Sequence, residues 1–191
     1  MSGVTRDDAW KLLNEYTTSE SLIKHMLAVE AAMIAYARKG GHDETHWGIT
    51  GLLHDFDYER WPNENLDETG HPWTGVEILR EKGFPDDIVD AILGHAPFTK
   101  HPRTTELAKT LFAVDELCGL ITAMGYVRPN NLDDLKPKSV KKKLKDKAFA
   151  RGVNREDIQH GIEELGVDPT EHYTLVIESL QGIAEELGFR S

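Results

Sequence analysis

The sequence predicts an all-α fold, a single helical bundle of about eight helices over residues 1–191. Three observations lead to it. Apolar residues recur at three- and four-residue spacing through most of the chain. Capping residues, prolines and glycines punctuate those stretches. No segment alternates polar and apolar residues long enough to read as a strand. With 191 residues the chain can bury a sizeable core, and no linker is long enough to separate domains.

Thr5 with Asp8 three residues on forms a capping-box pattern that opens a first helix, ending near Tyr16. Ser19 caps a second, with Leu22, Met26, Val29, Met33 and Ala37 along one face, and Lys39-Gly40-Gly41 ends it. Asp43 caps a third, which carries Trp47, Ile49, Leu52 and Leu53 up to His54-Asp55. Residues 56–69 are rich in Asp, Asn, Glu and Pro and read as a loop. Helices then follow from about Pro72 to Lys82 and from Pro85 to about Gly94, with Ala96-Pro97 as a break. A long helix runs from about Thr104 to Met124. Pro137 opens a lysine-rich helix with Val140, Leu144 and Ala148 on one face. Asn154 caps a short helix, and Asp168-Pro169 opens the last, to about Leu187.

Hydrophobic residues make up 39% and charged residues 29%, the balance of a soluble globular protein. The net charge of −11 argues against a nucleic acid duplex as partner. The charge is uneven, with nine basic residues and one acidic between Lys136 and Arg155 on an otherwise acidic chain. The start, MSGVTRDDAW, lacks the basic and apolar regions of a secretory signal, and no apolar run reads as a membrane span. The expectation is a cytoplasmic protein with no membrane partner. The lone cysteine, Cys118, lies in an apolar helical stretch and reads as a buried, inert thiol.

The chemistry concentrates around His54 and Asp55. His25 lies 29 residues upstream of His54, Asp115 lies 60 residues downstream of Asp55, and His71 and His95 fall between. Neutral imidazole beside an anionic carboxylate suits a divalent transition metal, and six such ligands suggest two ions sharing a carboxylate. His25 and Asp115 sit on faces that pack inward, where an unpaired carboxylate is costly. Neighbouring helical residues diverge by about 100°, so His54 and Asp55 can serve one centre only at a helix end. His42, His46, His160 and His172 read as surface residues or neighbours of the site, and His101 as a weak candidate for contact with it. Asp57 and Glu59 read as loop acids placed for solubility, with orienting water or protonating a leaving group as the alternative.

The order His, His-Asp, His, His, Asp resembles the HD-domain superfamily of metal-dependent phosphohydrolases. His25, His54, Asp55 and Asp115 carry the core motif, and the stretch from HPWTGVEIL to ILGHA resembles the two-histidine extension of binuclear, HDIG-type members. The likeness spans a metal-binding core of about residues 20–125. The basic extension, about 130–191, is similar to the tail of small predicted HD hydrolases. The resemblance implies one metal held by His25, His54, Asp55 and Asp115, and a second by His71 and His95 with Asp55 bridging. The implied activity is hydrolysis of a small phosphorylated substrate, a phosphomonoester or phosphodiester with a nucleotide as the expected class, by a metal-activated hydroxide. Asp55 is then the catalytic residue, and the ions are Mn, Fe, Co, Ni or Zn. Many binuclear members read His-Asp-Ile-Gly-Lys where this chain reads His-Asp-Phe-Asp-Tyr, so Tyr58 stands at the lysine position. With no Gly-Tyr-Pro motif either, cyclic dinucleotide hydrolysis is disfavoured. Arg128, Lys138, Lys142 and Arg151 are the expected phosphate-binding cations. Trp61, Trp73 and Tyr58 flank the motif and read as packing residues before base-stacking ones. The alternative is a di-iron oxygenase, because myo-inositol oxygenase and a phosphonate-cleaving relative use a similar ligand set.

Overall fold

The computed structural model describes residues 3–190 and contains, among them, nine α-helices and no strand. They are α1 (Arg6–Tyr16), α2 (Glu20–Gly40), α3 (Glu44–Leu53), α4 (Trp73–Glu81), α5 (Asp86–His95), α6 (Glu106–Val127), α7 (Pro137–Lys143), α8 (Arg155–Leu165) and α9 (Pro169–Gly182). A single 3-10 turn, Pro97–Thr99, follows α5.

The caps explain the boundaries. Thr5 and Asp8 close a reciprocal capping box on α1, and the side chains of Ser19, Asp43, Asn154 and Asp168 accept backbone N–H bonds at the starts of α2, α3, α8 and α9. Two helices are shorter than their apolar patterns suggest. Helix α7 stops at Lys143, so Ala148 lies in a following turn, and α9 stops at Gly182 with turns to Gly188. Arg155 accounts for the first difference: its guanidinium gathers the carbonyls of Asp146, Phe149, Ala150 and Val153 into a compact non-helical loop.

Helices α2 and α6 form the centre. Helix α2 packs against α3, α6 and α9, and α6 against α5, α8, α2 and α9. Helix α6 is 22 residues long and apolar enough, by length and composition, to cross a bilayer, which the sequence reading missed. Its position is that of a core helix, with 67% of its apolar window buried. Two glycines set the closest approaches. A Cβ on Gly51 would lie 2.9 Å from the Val29 carbonyl oxygen, and one on Gly161 would lie 2.6 Å from Ala113 Cα. Helices α3 and α8 can therefore lie against α2 and α6 at backbone distance.

Several buried polar groups are paired across elements. Glu30 of α2 is buried and takes a bidentate bond from Arg6, 2.7 and 2.8 Å, which ties α1 to the core. Arg103 joins three elements, donating to Gly94 O (2.7 Å) and Glu164 (2.8 Å) while its guanidinium lies 3.7 Å from the centroid of Phe112. Cys118 is buried and donates to Ala28 O, and burial raises its thiol well above the usual range. His172, expected near the surface or the site, is in the core. Its Nε2–H donates to Ala113 O (3.0 Å) and its Nδ1 accepts from the Tyr36 hydroxyl, so the ring is held neutral with both nitrogens in use.

Burial pushes the His172 imidazole down from 6.5 to about 4. The unfolded chain then binds the extra proton first, so stability is full above pH 6.5 and is lost as pH falls toward 4. That shift corresponds to about 3 kcal/mol. Urea unfolding of metal-free wild type should lose this increment between pH 7 and pH 4. His172→Gln should start less stable at pH 7 and lack that part of the pH dependence.

Candidate metal centre

Six side chains from five segments converge beside the α2–α6 pair. His25 comes from α2 and Asp115 from α6. His54 is the residue that ends α3, with Asp55 in the turn after it. His71 precedes α4, and His95 is the last residue of α5. His54 and His95 use the same local device. At a helix end the carbonyls of the last turn are free, and each ring donates its Nδ1–H to the carbonyl three residues back, Gly51 (2.8 Å) for His54 and Ile92 for His95. This fixes the tautomer and turns both Nε2 lone pairs inward.

The Asp55 carboxylate divides its oxygens. Oδ2 lies 3.3 Å from His54 Nε2 and 3.9 Å from His25 Nε2. Oδ1 lies 3.3 Å from both His71 Nε2 and His95 Nε2. Asp115 Oδ1 closes the first group, 2.9 Å from His25 Nε2 and 3.3 Å from His54 Nε2. Within the sets His25/His54/Asp55, His54/His95/Asp115 and Asp55/His71/His95, all ligand atoms fall within 4.8 Å of one another.

The family model described as HD domain matches residues 22–120, just over half of the chain and inclusive of all six residues. The chain belongs to the HD-domain family. No solved structure matches it significantly. HD domains are generally metal-dependent hydrolases that bind divalent metals, and the His/Asp cluster of this HD domain is able to hold metal.

The residues fit such a group. His54 Nε2 is fully buried without a hydrogen-bond partner, an arrangement that costs free energy unless the lone pair is used. Imidazole nitrogens with carboxylate oxygens suit divalent transition ions. The electrostatics agree. Burial opposes charge on His54, but Asp55 and Asp115 outweigh it and hold the ring well above its ordinary value. Burial also works against Asp55 and Asp115, yet the facing imidazoles hold both well below the usual carboxylate range. Burial, and then the charge of Asp115, push the neighbouring Glu116 carboxyl up to about 7. Cations are in demand at this site, and protons compete with metal for the same nitrogens.

Asp57, read from the sequence as a loop acid placed for solubility, is buried against the centre instead. It is 1% exposed, accepts from His71 Nδ1 (2.7 Å) and from the Gly75 backbone N–H (2.7 Å), and so orients His71. The available signal was the second aspartate in His-Asp-Phe-Asp. Glu59 is structural, accepting from the Thr18 and Ser19 backbone N–H groups (2.8 and 2.9 Å) at the start of α2.

A cleft of about 270 Å³ opens over the centre. Tyr58 lines it, its ring edge-on to His71. Trp61 packs on Tyr16, and Trp73 packs against the core; neither lines the cleft. Nor do Arg128, Lys138, Lys142 and Arg151: Arg128 pairs with Asp134 (2.5 Å), and the other three are exposed on the C-terminal segment. His101 faces Asp90 (3.5 Å), His46 pairs with Asp87 (2.8 Å) and His42 with Glu106 (3.2 Å), while His160 is exposed.

Asp57→Ala should lower divalent-metal affinity about 10–100-fold, read by chelator competition, with helical content retained. Unaltered affinity would reduce Asp57 to a loop anchor.

Proposed function

We propose that this HD domain hydrolyses phosphate esters of small molecules, nucleotides among them, at a site holding two divalent transition-metal ions drawn from Mn, Fe, Co, Ni and Zn. The observation that carries this reading is the division of Asp55, each oxygen 3.3 Å from a different histidine nitrogen set. A carboxylate so placed serves two centres at once. His25, His54 and Asp115 complete one, and His71 and His95 the other. Such ions, when bound, lower the pKa of water toward neutrality and take up charge on phosphoryl oxygens.

The protein's own groups supply the rest. The Nδ1–H bonds to Gly51 O, Ile92 O and Asp57 keep three imidazoles aimed without rearrangement. Tyr58 carries the only side-chain hydroxyl among the lining residues described, and it is 45% exposed toward solvent. From there the phenol donates to a phosphoryl or leaving-group oxygen, in place of the lysine common in binuclear relatives. Pro97, Phe98 and Phe112 form an apolar wall for the organic part of the ester. The overall charge of −11 supports a small phosphorylated partner over a nucleic acid duplex.

Asp55→Ala should remove bound metal, measured by elemental analysis, and abolish phosphate release across a panel of monoesters and diesters. Full activity in that variant would refute the bridging role. Oxygen consumption by the ferrous protein, with no phosphate release from any ester, would assign the same ligands to oxygenase chemistry. Tyr58→Phe should keep its metal content and lose about tenfold in kcat/KM, the scale of one hydrogen bond to a charged group.

A further inference from the structure

The walls of the cleft above the ligands are aromatic and acidic. Tyr58, Phe98 and Phe112 supply the first character, and Glu116 and Asp157 the second. No lysine or arginine is among the lining residues described. Two arginines that bond to segments around α6 and α8 are committed elsewhere. Arg103 is engaged by Glu164 and Gly94 O with Phe112 beneath it, and Arg155 by four backbone carbonyls. Glu116 is held in place by the Asn154 N–H (2.9 Å), and Asp157 stands in the first turn of α8. The close crossing of Gly161 on Ala113 fixes that helix against α6.

This arrangement limits the anionic charge that a substrate can bring. Two dications offset by Asp55 and Asp115 leave two positive charges, which match one phosphoryl dianion. A second phosphoryl group would find no cation among the lining residues described and would face the acidic oxygens of Glu116 and Asp157, and mismatch of this kind is a means of specificity. We infer that the cleft admits a single phosphoryl group on a compact organic body and turns away diphosphates and triphosphates, with Glu116 and Asp157 setting that limit. The inference rests on the phosphohydrolase reading of the same site.

Inorganic phosphate and pyrophosphate, titrated calorimetrically into the full-length Mn(II)-loaded protein with free Mn(II) in excess, test it by binding alone. Wild type should bind pyrophosphate at least tenfold more weakly than phosphate. The double variant Glu116→Gln/Asp157→Asn should bring the two within threefold, mainly by tighter pyrophosphate binding. Asp157→Asn alone should move the ratio in the same direction, and serves if the double variant does not fold. Pyrophosphate bound by wild type as tightly as phosphate, or a ratio unmoved by both variants, would overturn the inference. Failure of the underlying reading has a separate signature: no phosphate released from phenyl phosphate or any other ester, whatever the binding ratio.

Discussion

Asp55 stands between two pairs of imidazoles, and the bundle is arranged around the cost of placing it there. A mostly buried carboxylate beside a second one, Asp115, is expensive unless positive charge accompanies both. Four histidines surround them, and three have their outer nitrogens tied to protein acceptors. Those ties leave the inner lone pairs pointing at a shared space. The inner nitrogen of His54 shows how complete the commitment is, because it is shut off from solvent and has no hydrogen bond, with only the two carboxylates beside it at 3.3 Å.

Helix termini make this possible. A side chain in mid-helix has its direction fixed by the backbone, whereas one at the end can turn while its ring bonds a free carbonyl. His54 and His95 both use that freedom. His25 and Asp115, in mid-helix, face each other because α2 and α6 lie side by side. The rigid pair sets the floor of the site, and the helix ends close around it. Arg103 and Glu59 then hold the surrounding segments, the first linking α5, α6 and α8, the second fastening the loop after Asp55 to the start of α2.

Much of this was legible in the sequence because it is local. The caps at Thr5, Ser19, Asp43, Asn154 and Asp168 are encoded within three residues of the groups they bond, and helix starts followed from them directly. The clustering of these six side chains was legible because His and Asp on apolar faces need a partner. What escaped depends on contacts far along the chain. Asp57 looked like a solvated loop acid until the fold brought His71 and Gly75 to it, 14 and 18 residues away. His172 looked peripheral, but its partners are 136 and 59 residues distant. The lysine-rich segment suggested a phosphate grip by composition, and only three-dimensional placement shows its cations away from the cleft.

The span between His25 and Asp115, whose side chains meet at 2.9 Å, is 90 residues. No stretch of the emerging polypeptide shorter than that contains the full set, and helix α6 must dock on α2 before the last carboxylate arrives. A metal held by these residues would therefore bind only after those two helices have met, and would fasten together elements far apart along the chain.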